Sequence, residues 1–338
     1  MLRDASLLIT GGTGSFGRAF VRQILGQYPD IGQLIIFSRD EQKQYEMAQE
    51  YPRARYPALR FVLGDVRDEQ RLIRSLQGVD YVVHAAALKH VPIAEENPWE
   101  CIRTNVMGAE NLINAALETG VKRVIALSTD KAAAPINLYG ASKLCADKLF
   151  IAANNLAQRN EATQFSVVRY GNFMGSRGSV VPHFLKARHT GVLPITHPDM
   201  TRFGIRLDRC IELLLYALAH SWGGEIFIPK IPCFRVADLA TAIGPDCRQQ
   251  IIGIRPGEKL HEDLITPSDA LNTLEFAKHY VIGPTLPLWD TDEYLAYFKG
   301  KRVEQDFSYH SNRPADWLSI EALRQEVEAA LNIQLAPL

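Results

Sequence analysis

The sequence predicts an α/β fold, a doubly wound parallel sheet with a smaller α/β lobe attached. Three observations carry this. Short apolar runs alternate with helix-length stretches through the first half of the chain. The first run ends directly in a glycine cluster, and the alternation stops after Arg169. Strands buried on both faces read as continuous apolar runs, and right-handed crossovers between them generate a doubly wound sheet.

Taken in order, Ser6 to Thr10 is the first strand, and Leu34–Ser38, Leu59–Leu63, Tyr81–Ala85, Arg123–Ser128 and Phe165–Arg169 are the next five. Between them lie helical stretches, such as Asn105 to Thr119 with apolar residues at helical spacing. After Arg169, glycine and proline become frequent at Gly171, Gly175, Gly178, Pro182, Pro194 and Pro198. Long connections of this kind predict residues 1–170 as a dinucleotide-binding domain. They leave 171–338 mainly as a substrate lobe with interleaved returns to the main sheet. Ser319 to Asn332 reads as an amphipathic helix capped by Ser319.

Composition bounds the function. The chain has 338 residues, 47% hydrophobic and 22% charged, with a formal net charge of −1, an ordinary globular profile. No basic excess points to a nucleic-acid polymer or an acidic membrane. No apolar run nears the roughly 20 residues that span a bilayer, and the opening residues pass straight into a strand with no secretory signal. The scattered cysteines, Cys101, Cys145, Cys210, Cys233 and Cys247, read as reduced thiols of a cytoplasmic protein. Cys145 reads as a small packing residue. No cysteine or histidine pair has zinc-ligand spacing, so no metal is expected.

Thr10-Gly-Gly-Thr-Gly-Ser-Phe-Gly17 follows the first strand and opens a helix. Gly11, Gly14 and Gly17, with Thr13, Ser15 and Phe16, form a Rossmann-type turn on which pyrophosphate sits at a helix N-terminus. The second strand leads into Ser38-Arg39-Asp40, with Lys43 one turn on. A small hydroxyl followed by Arg suits a 2′-phosphate, which favours NADP over NAD. The alternative is that Arg39 and Lys43 are surface charges while Asp40 holds the ribose. Asp65 and Val66 follow the third strand. Asp65 either accepts from the adenine amino group or caps the next helix. Ala85, Ala86 and Ala87 let the cofactor lie against the backbone, and Asn105 joins the cofactor set.

Tyr139-Gly-Ala-Ser-Lys143 sets a phenol and an amine four residues apart, on one helix face. The ammonium lowers the phenol's pKa and holds the nicotinamide ribose, and the phenolate accepts a substrate hydroxyl proton. The strand before it ends in Ser128-Thr129, followed by Asp130-Lys131.

The run from Ser128 through Asp130-Lys131 to Lys143 resembles the extended short-chain dehydrogenase/reductases that modify sugar nucleotides. Within these it resembles the C5-inverting UDP-N-acetylglucosamine 4,6-dehydratases of pseudaminic acid biosynthesis. Phe37–Lys43, Ala87–Pro92, Val168–Pro182, Met200–Phe203 and Ile254–Lys259 fit the same group, over about Leu7 to Leu264. The resemblance implies a lyase that oxidises C4, removes the C5 proton while water leaves C6, and then reduces C6. The product would be UDP-2-acetamido-2,6-dideoxy-β-L-arabino-hexos-4-ulose. It makes Lys131 the C5 base, Asp130 the acid for the departing hydroxyl, and Thr129 part of the catalytic set. A lysine base must be neutral, and the expectation is that burial beside other cations lowers its pKa. The alternative is a loop ion pair between Asp130 and Lys131.

By the same resemblance Asn172 contacts the diphosphate, and Arg202, Arg255 and Glu258 line the nucleotide end. Lys89 reaches the sugar or diphosphate, and Ser176 and Arg177 complete the substrate set. A homo-oligomer, with a hexamer as one form, is implied as well. Departures from the group at Phe173-Met174, His183, Gly204 and Arg206 are expected near the sugar pocket. The competing readings are a retaining dehydratase, a UDP-hexose 4-epimerase, and a non-catalytic NADP-sensing regulator. The intact Tyr139/Lys143 pair argues against the last.

Overall fold

The computed structural model describes residues 1–157, 163–176, 178–313 and 316–335. Six strands of the first half are β1 (Ser6–Thr10), β2 (Gln33–Ser38), β3 (Leu59–Leu63), β4 (Tyr81–His84), β5 (Arg123–Thr129) and β6 (Gln164–Tyr170). They lie side by side in the order β3-β2-β1-β4-β5-β6, every pair parallel. The reversal of strand order beside β1 is the switch point where open α/β sheets bind ligands, outside the strands' carboxyl ends.

The second half of the chain extends this sheet. Ile226–Pro229 pairs parallel with β6, and His279–Ile282, Thr273–Glu275 and Lys301–Arg302 follow antiparallel, giving ten strands among the described residues. The central strands of the main sheet are apolar, as strands covered on both faces are. Leu7, Leu8, Val82, Val83, Val124 and Ile125 are fully buried. A second apolar cluster gathers Val181, Phe184, Leu193, Phe234, Leu239, Leu323 and Val327. A small sheet of Asn172–Phe173, Thr201–Ile205 and Cys233–Arg235 adjoins it.

Two local expectations change. The helix expected from Asn105 is preceded by a π-helical turn, Arg103–Met107, and the α-helix proper runs Gly108–Thr119. Cys145 is exposed rather than packed, whereas Cys101, Cys210 and Cys233 are buried. The cap at Ser319 forms: its side chain accepts from the Ala322 N–H, and the helix is Ile320–Leu331. No described helix is long and apolar enough to cross a membrane.

Candidate active site

A cleft of about 860 Å³ opens across the carboxyl ends of β1 to β6. Its walls are the residues that follow each strand: Gly11–Gly17, Ser38–Asp40, Gly64–Val66, Ala85–Pro92, Thr129 and Tyr170–Phe173. The far wall comes from the second half of the chain, with Thr196, Met200, Arg202, Arg255, Glu258 and Glu262.

The glycine turn is built for close approach. Gly11 has φ +66, and a Cβ there would lie 2.9 Å from the Ala86 main chain. A Cβ on Gly17 would lie 2.3 Å from the Gly12 carbonyl oxygen. The helix Ser15–Gln27 opens with neither a side-chain cap nor an acidic residue in its first turn. Such an end attracts anions, so the turn fits a dinucleotide pyrophosphate.

Beyond it, the Thr13 and Ser38 hydroxyls are hydrogen-bonded at 2.9 Å. Asp40 caps the helix Glu41–Glu50 through the Lys43 N–H and ion-pairs the Lys43 ammonium. Lys43 holds this carboxyl below its usual range. Both Asp40 oxygens are engaged with Lys43, which competes with a ribose for them and weakens that alternative. Asp65 does not cap the next helix; Asp68 does, through the Arg71 N–H. Asp65 lines the cleft and holds Arg67 at 2.6 Å, with Arg39 at 3.7 Å. Asn105 does not reach the cleft wall. Its carbonyl accepts from the Leu88 N–H and its amide donates to Leu88 O and Ser142 Oγ, so it clamps the loop after β4.

The expected catalytic residues gather where β5 meets the helix Leu138–Ala157. Thr129 caps the short turn Asp130–Ala132, accepting from the Lys131 N–H and donating to Asp130 Oδ1 at 2.9 Å. Tyr139 lines the cleft beside Thr129 and Lys131. A Cβ on Gly140 would lie 2.2 Å from the Lys131 carbonyl oxygen, so glycine lets this helix press against the turn. The Lys131 ammonium lies 3.0 Å from Asp130 Oδ1 and 3.3 Å from Glu262 Oε1.

Protonation here runs opposite to expectation. Burial works to lower the Lys131 pKa, but the charges of Asp130 and Glu262 outweigh it and hold the ammonium above the ordinary lysine value. Carboxylates, not cations, dominate its surroundings. The Tyr139 phenol is pushed up to about 12 by burial, against the opposing charge of Lys131. Lys143 sits behind it, buried, off the cleft wall and near Asp147; burial lowers its pKa. Asp130 is fully buried and likewise does not line the cleft.

On the substrate side, Lys89, Asn172, Ser176, Arg202, Arg255 and Glu258 all line the cleft. Asn172 Oδ1 is buried with no hydrogen-bond partner among the described residues. Arg202 is less available than expected. Its guanidinium donates to the carbonyls of Thr201, Leu260 and Lys259 and ion-pairs Glu258. Arg255 is paired with Glu258 through two hydrogen bonds. Arg177 lies outside the described residues. Of the departures expected around the sugar, only Phe173 lines this cleft, stacked on Tyr170 at 4.3 Å. Gly204 and Arg206 line a separate cavity with Met174, and His183 is exposed.

Sequence reasoning missed Tyr170 and above all Glu262. Glu262 stands three residues beyond the Ile254–Lys259 motif. Nothing local distinguishes it, since its role depends on a contact with Lys131 that is 131 residues away in sequence.

The family described as "Polysaccharide biosynthesis protein" matches residues 7–284. A Campylobacter jejuni protein named UDP-N-acetylglucosamine 4,6-dehydratase (inverting) is 50% identical over 329 residues, 96% of this chain and 97% of its own. A Rickettsia canadensis protein named UDP-glucose 4-epimerase is 42% identical over 93% of each chain. Among solved structures, Pen from Bacillus thuringiensis superposes with a TM-score of 0.87 at 32% identity, covering 98% of this chain and 100% of that one. The dTDP-glucose 4,6-dehydratase DesIV from Streptomyces venezuelae, solved with NAD, gives 0.65 at 27% identity over 75% and 86%. With this fold, this cleft and these relatives, the chain belongs to the polysaccharide biosynthesis protein family, among the sugar-nucleotide dehydratases of the extended short-chain dehydrogenase/reductase type.

Proposed function

We propose that the chain is a C5-inverting UDP-N-acetylglucosamine 4,6-dehydratase. The observation that carries this is Lys131 on the cleft wall, between two carboxylates and beside Tyr139, next to a dinucleotide turn. A 4-epimerase moves hydride and proton at one carbon and has no use for a second base. Elimination across C5 and C6 needs one.

In this reading Tyr139 takes the C4 hydroxyl proton and Thr129 orients the phenol. Lys131 takes the C5 proton, and Lys143 fixes the helix face beneath the nicotinamide ribose. The nicotinamide, when bound, supplies the hydride acceptor at C4 and the donor at C6. Asn172 and Lys89 hold the diphosphate and sugar, with Arg255 toward the uridine. NADP is the preferred cofactor, supported by the commitment of Asp40 to Lys43 and the exposed Arg39 beside Ser38. A division into a cofactor-binding domain, 1–170, and a substrate lobe, 171–338, fits the same scheme. So do a homo-oligomeric, cytoplasmic enzyme and a place at the entry to pseudaminic acid biosynthesis.

Incubation with UDP-N-acetylglucosamine and NADP should give a product lighter by one water, bearing deuterium at C5 when made in deuterated water. Lys131→Ala should abolish water loss; full activity in that variant refutes its role. A second reading, 4-epimerisation, is favoured by the Rickettsia relative's name. A product that keeps its C6 oxygen would establish it instead.

A further inference from the structure

Three observations around Lys131 are not absorbed by the roles above. Glu262 lines the cleft, whereas Asp130, the acid implied by resemblance, is fully buried and does not. Asp130 Oδ1 is already committed to the Thr129 hydroxyl and to Lys131; its Oδ2, like Glu262 Oε2, is buried without a hydrogen-bond partner among the described residues, so what separates the two carboxylates is that Glu262 alone lines the cleft. Glu262 Oε1 faces Lys131 at 3.3 Å, and Glu262 Oε2 is buried without a hydrogen-bond partner among the described residues. A buried carboxylate oxygen with no donor is costly unless it is protonated or meets a ligand.

The backbone around Glu262 is fixed. Its N–H donates to Ser311 Oγ at 2.8 Å, and its carbonyl accepts from the Ser311 N–H at 2.8 Å. Two residues on, the Leu264 carbonyl accepts from Arg169 at 3.2 Å. The same guanidinium holds Asp147 at 3.2 Å, and Asp147 accepts from Ser128 at 2.7 Å, the residue before Thr129. A buried chain of contacts thus sets Glu262 in register with the β5 end that carries Lys131. Arg202 Nε, 4.0 Å from Glu262 Oε1, is a second cation beside it.

We infer that Glu262 is the acid of the elimination and the proton partner of Lys131, a role that rests on the dehydratase reading above. Across their contact the ammonium passes a proton to the carboxylate, leaving amine and carboxylic acid. The amine then takes the C5 proton of the 4-ketone. The C5–H electron pair forms the C5–C6 double bond as the C6–O bond breaks. The departing hydroxyl takes the Glu262 proton and leaves as water. The step ends with ammonium and carboxylate, the ion pair present at the start, so protons and electrons balance within the pair. Burial raises the Glu262 pKa, against the opposing charge of Lys131; the Lys131 ammonium is held charged at rest, so the internal transfer is the uphill part of the elimination.

The test begins with the unaltered enzyme. If it releases no water from UDP-N-acetylglucosamine, the dehydratase reading itself fails, separately from the role of Glu262. Given that activity, Glu262→Gln should still oxidise C4, read as reduced-nicotinamide absorbance in a single turnover. Its water loss should fall on the order of 10²-fold or more. With the 6-deoxy-6-fluoro analogue, whose fluoride leaves without a proton, that variant should eliminate slowly at neutral pH, where Lys131 keeps its proton, and regain rate as the pH is raised, while its water loss stays low throughout. Asp130→Asn should lose less. Water loss at the original rate in Glu262→Gln overturns the inference, as does equal loss of C4 oxidation and elimination. So does a variant in which raised pH restores water loss and fluoride release alike. Should Glu262→Gln not fold, Glu262→Asp, with its carboxyl one methylene short, should slow water loss and spare C4 oxidation; unchanged water loss overturns the inference equally.

Discussion

A methyl group on Gly140 has nowhere to go. It would meet the Lys131 carbonyl oxygen at 2.2 Å, and a main-chain atom cannot swing aside as a side-chain tip can. Gly140→Ala must therefore move either the start of the helix Leu138–Ala157 or the turn that aims Lys131. We expect water loss to fall at least tenfold, the scale on which small misplacements act, and stability to drop by about 1–3 kcal/mol. Cofactor affinity should fall less than water loss, because the glycine turn at Gly11–Gly17 is not involved and only the ribose contact assigned to Lys143 rides on this helix. Gly26 is the control, since a Cβ there meets nothing within 4 Å; Gly26→Ala should be neutral or slightly stabilising. Turnover, cofactor titration and urea denaturation of both variants check this, and an unimpaired Gly140→Ala enzyme would sink it. Sequence alone presents Gly140 as one letter of a Tyr-x-x-x-Lys pattern; the reason for glycine is a tertiary contact. The same limit applies to Lys131. Its identity is legible from Asp130-Lys131, but its charge state is not, because Glu262 approaches from the far half of the chain.

Elements were readable where their signals are local. The helix Ile320–Leu331 announces itself by apolar spacing and by Ser319, whose side chain accepts from the Ala322 N–H at 3.2 Å. Leu323 and Val327 on its inner face are fully buried in the second apolar cluster, against the helix Val236–Ile243. Ser319→Ala should cost about 1 kcal/mol, the usual worth of such a cap. Urea denaturation should register the loss while dehydratase turnover at saturating substrate stays unchanged. A variant as stable as the parent would mean that the packed face alone sets this helix end. The π-helical turn Arg103–Met107 carried no such signal. Its widened geometry ends at Gly108, where a Cβ would lie 2.8 Å from Val66, and it delivers Asn105 to the Leu88 main chain. Periodicity reports which face is apolar; it does not report an extra residue in a turn imposed by packing.

At the scale of the whole molecule, the parallel half was legible because each strand is a continuous apolar run. The second half was less so, since its strands are short and draw partners from distant segments, as Ile226–Pro229 does from β6. One consequence of the central packing is visible only in the folded molecule. His84 ends β4 with 1% of its surface exposed, and its Nδ1 lies 2.9 Å from the Thr10 hydroxyl at the end of β1. Burial drives its pKa down to about 3, and the charge of Lys143 acts in the same direction. In the unfolded chain the imidazole takes a proton near its ordinary value of about 6.5. Between those values the unfolded state binds more protons than the folded one, so stability rises with pH and is lost on acidification through this window. From pH 7 to pH 5 the His84 contribution to that loss should be on the order of 2 kcal/mol. His84→Asn, which cannot titrate, should be less stable than the parent at pH 7 but should lose less on going to pH 5. Urea denaturation of both proteins at the two pH values gives the comparison. Equal losses would mean that His84 is solvated or paired in the folded state, and that the acid sensitivity of the sheet has another source.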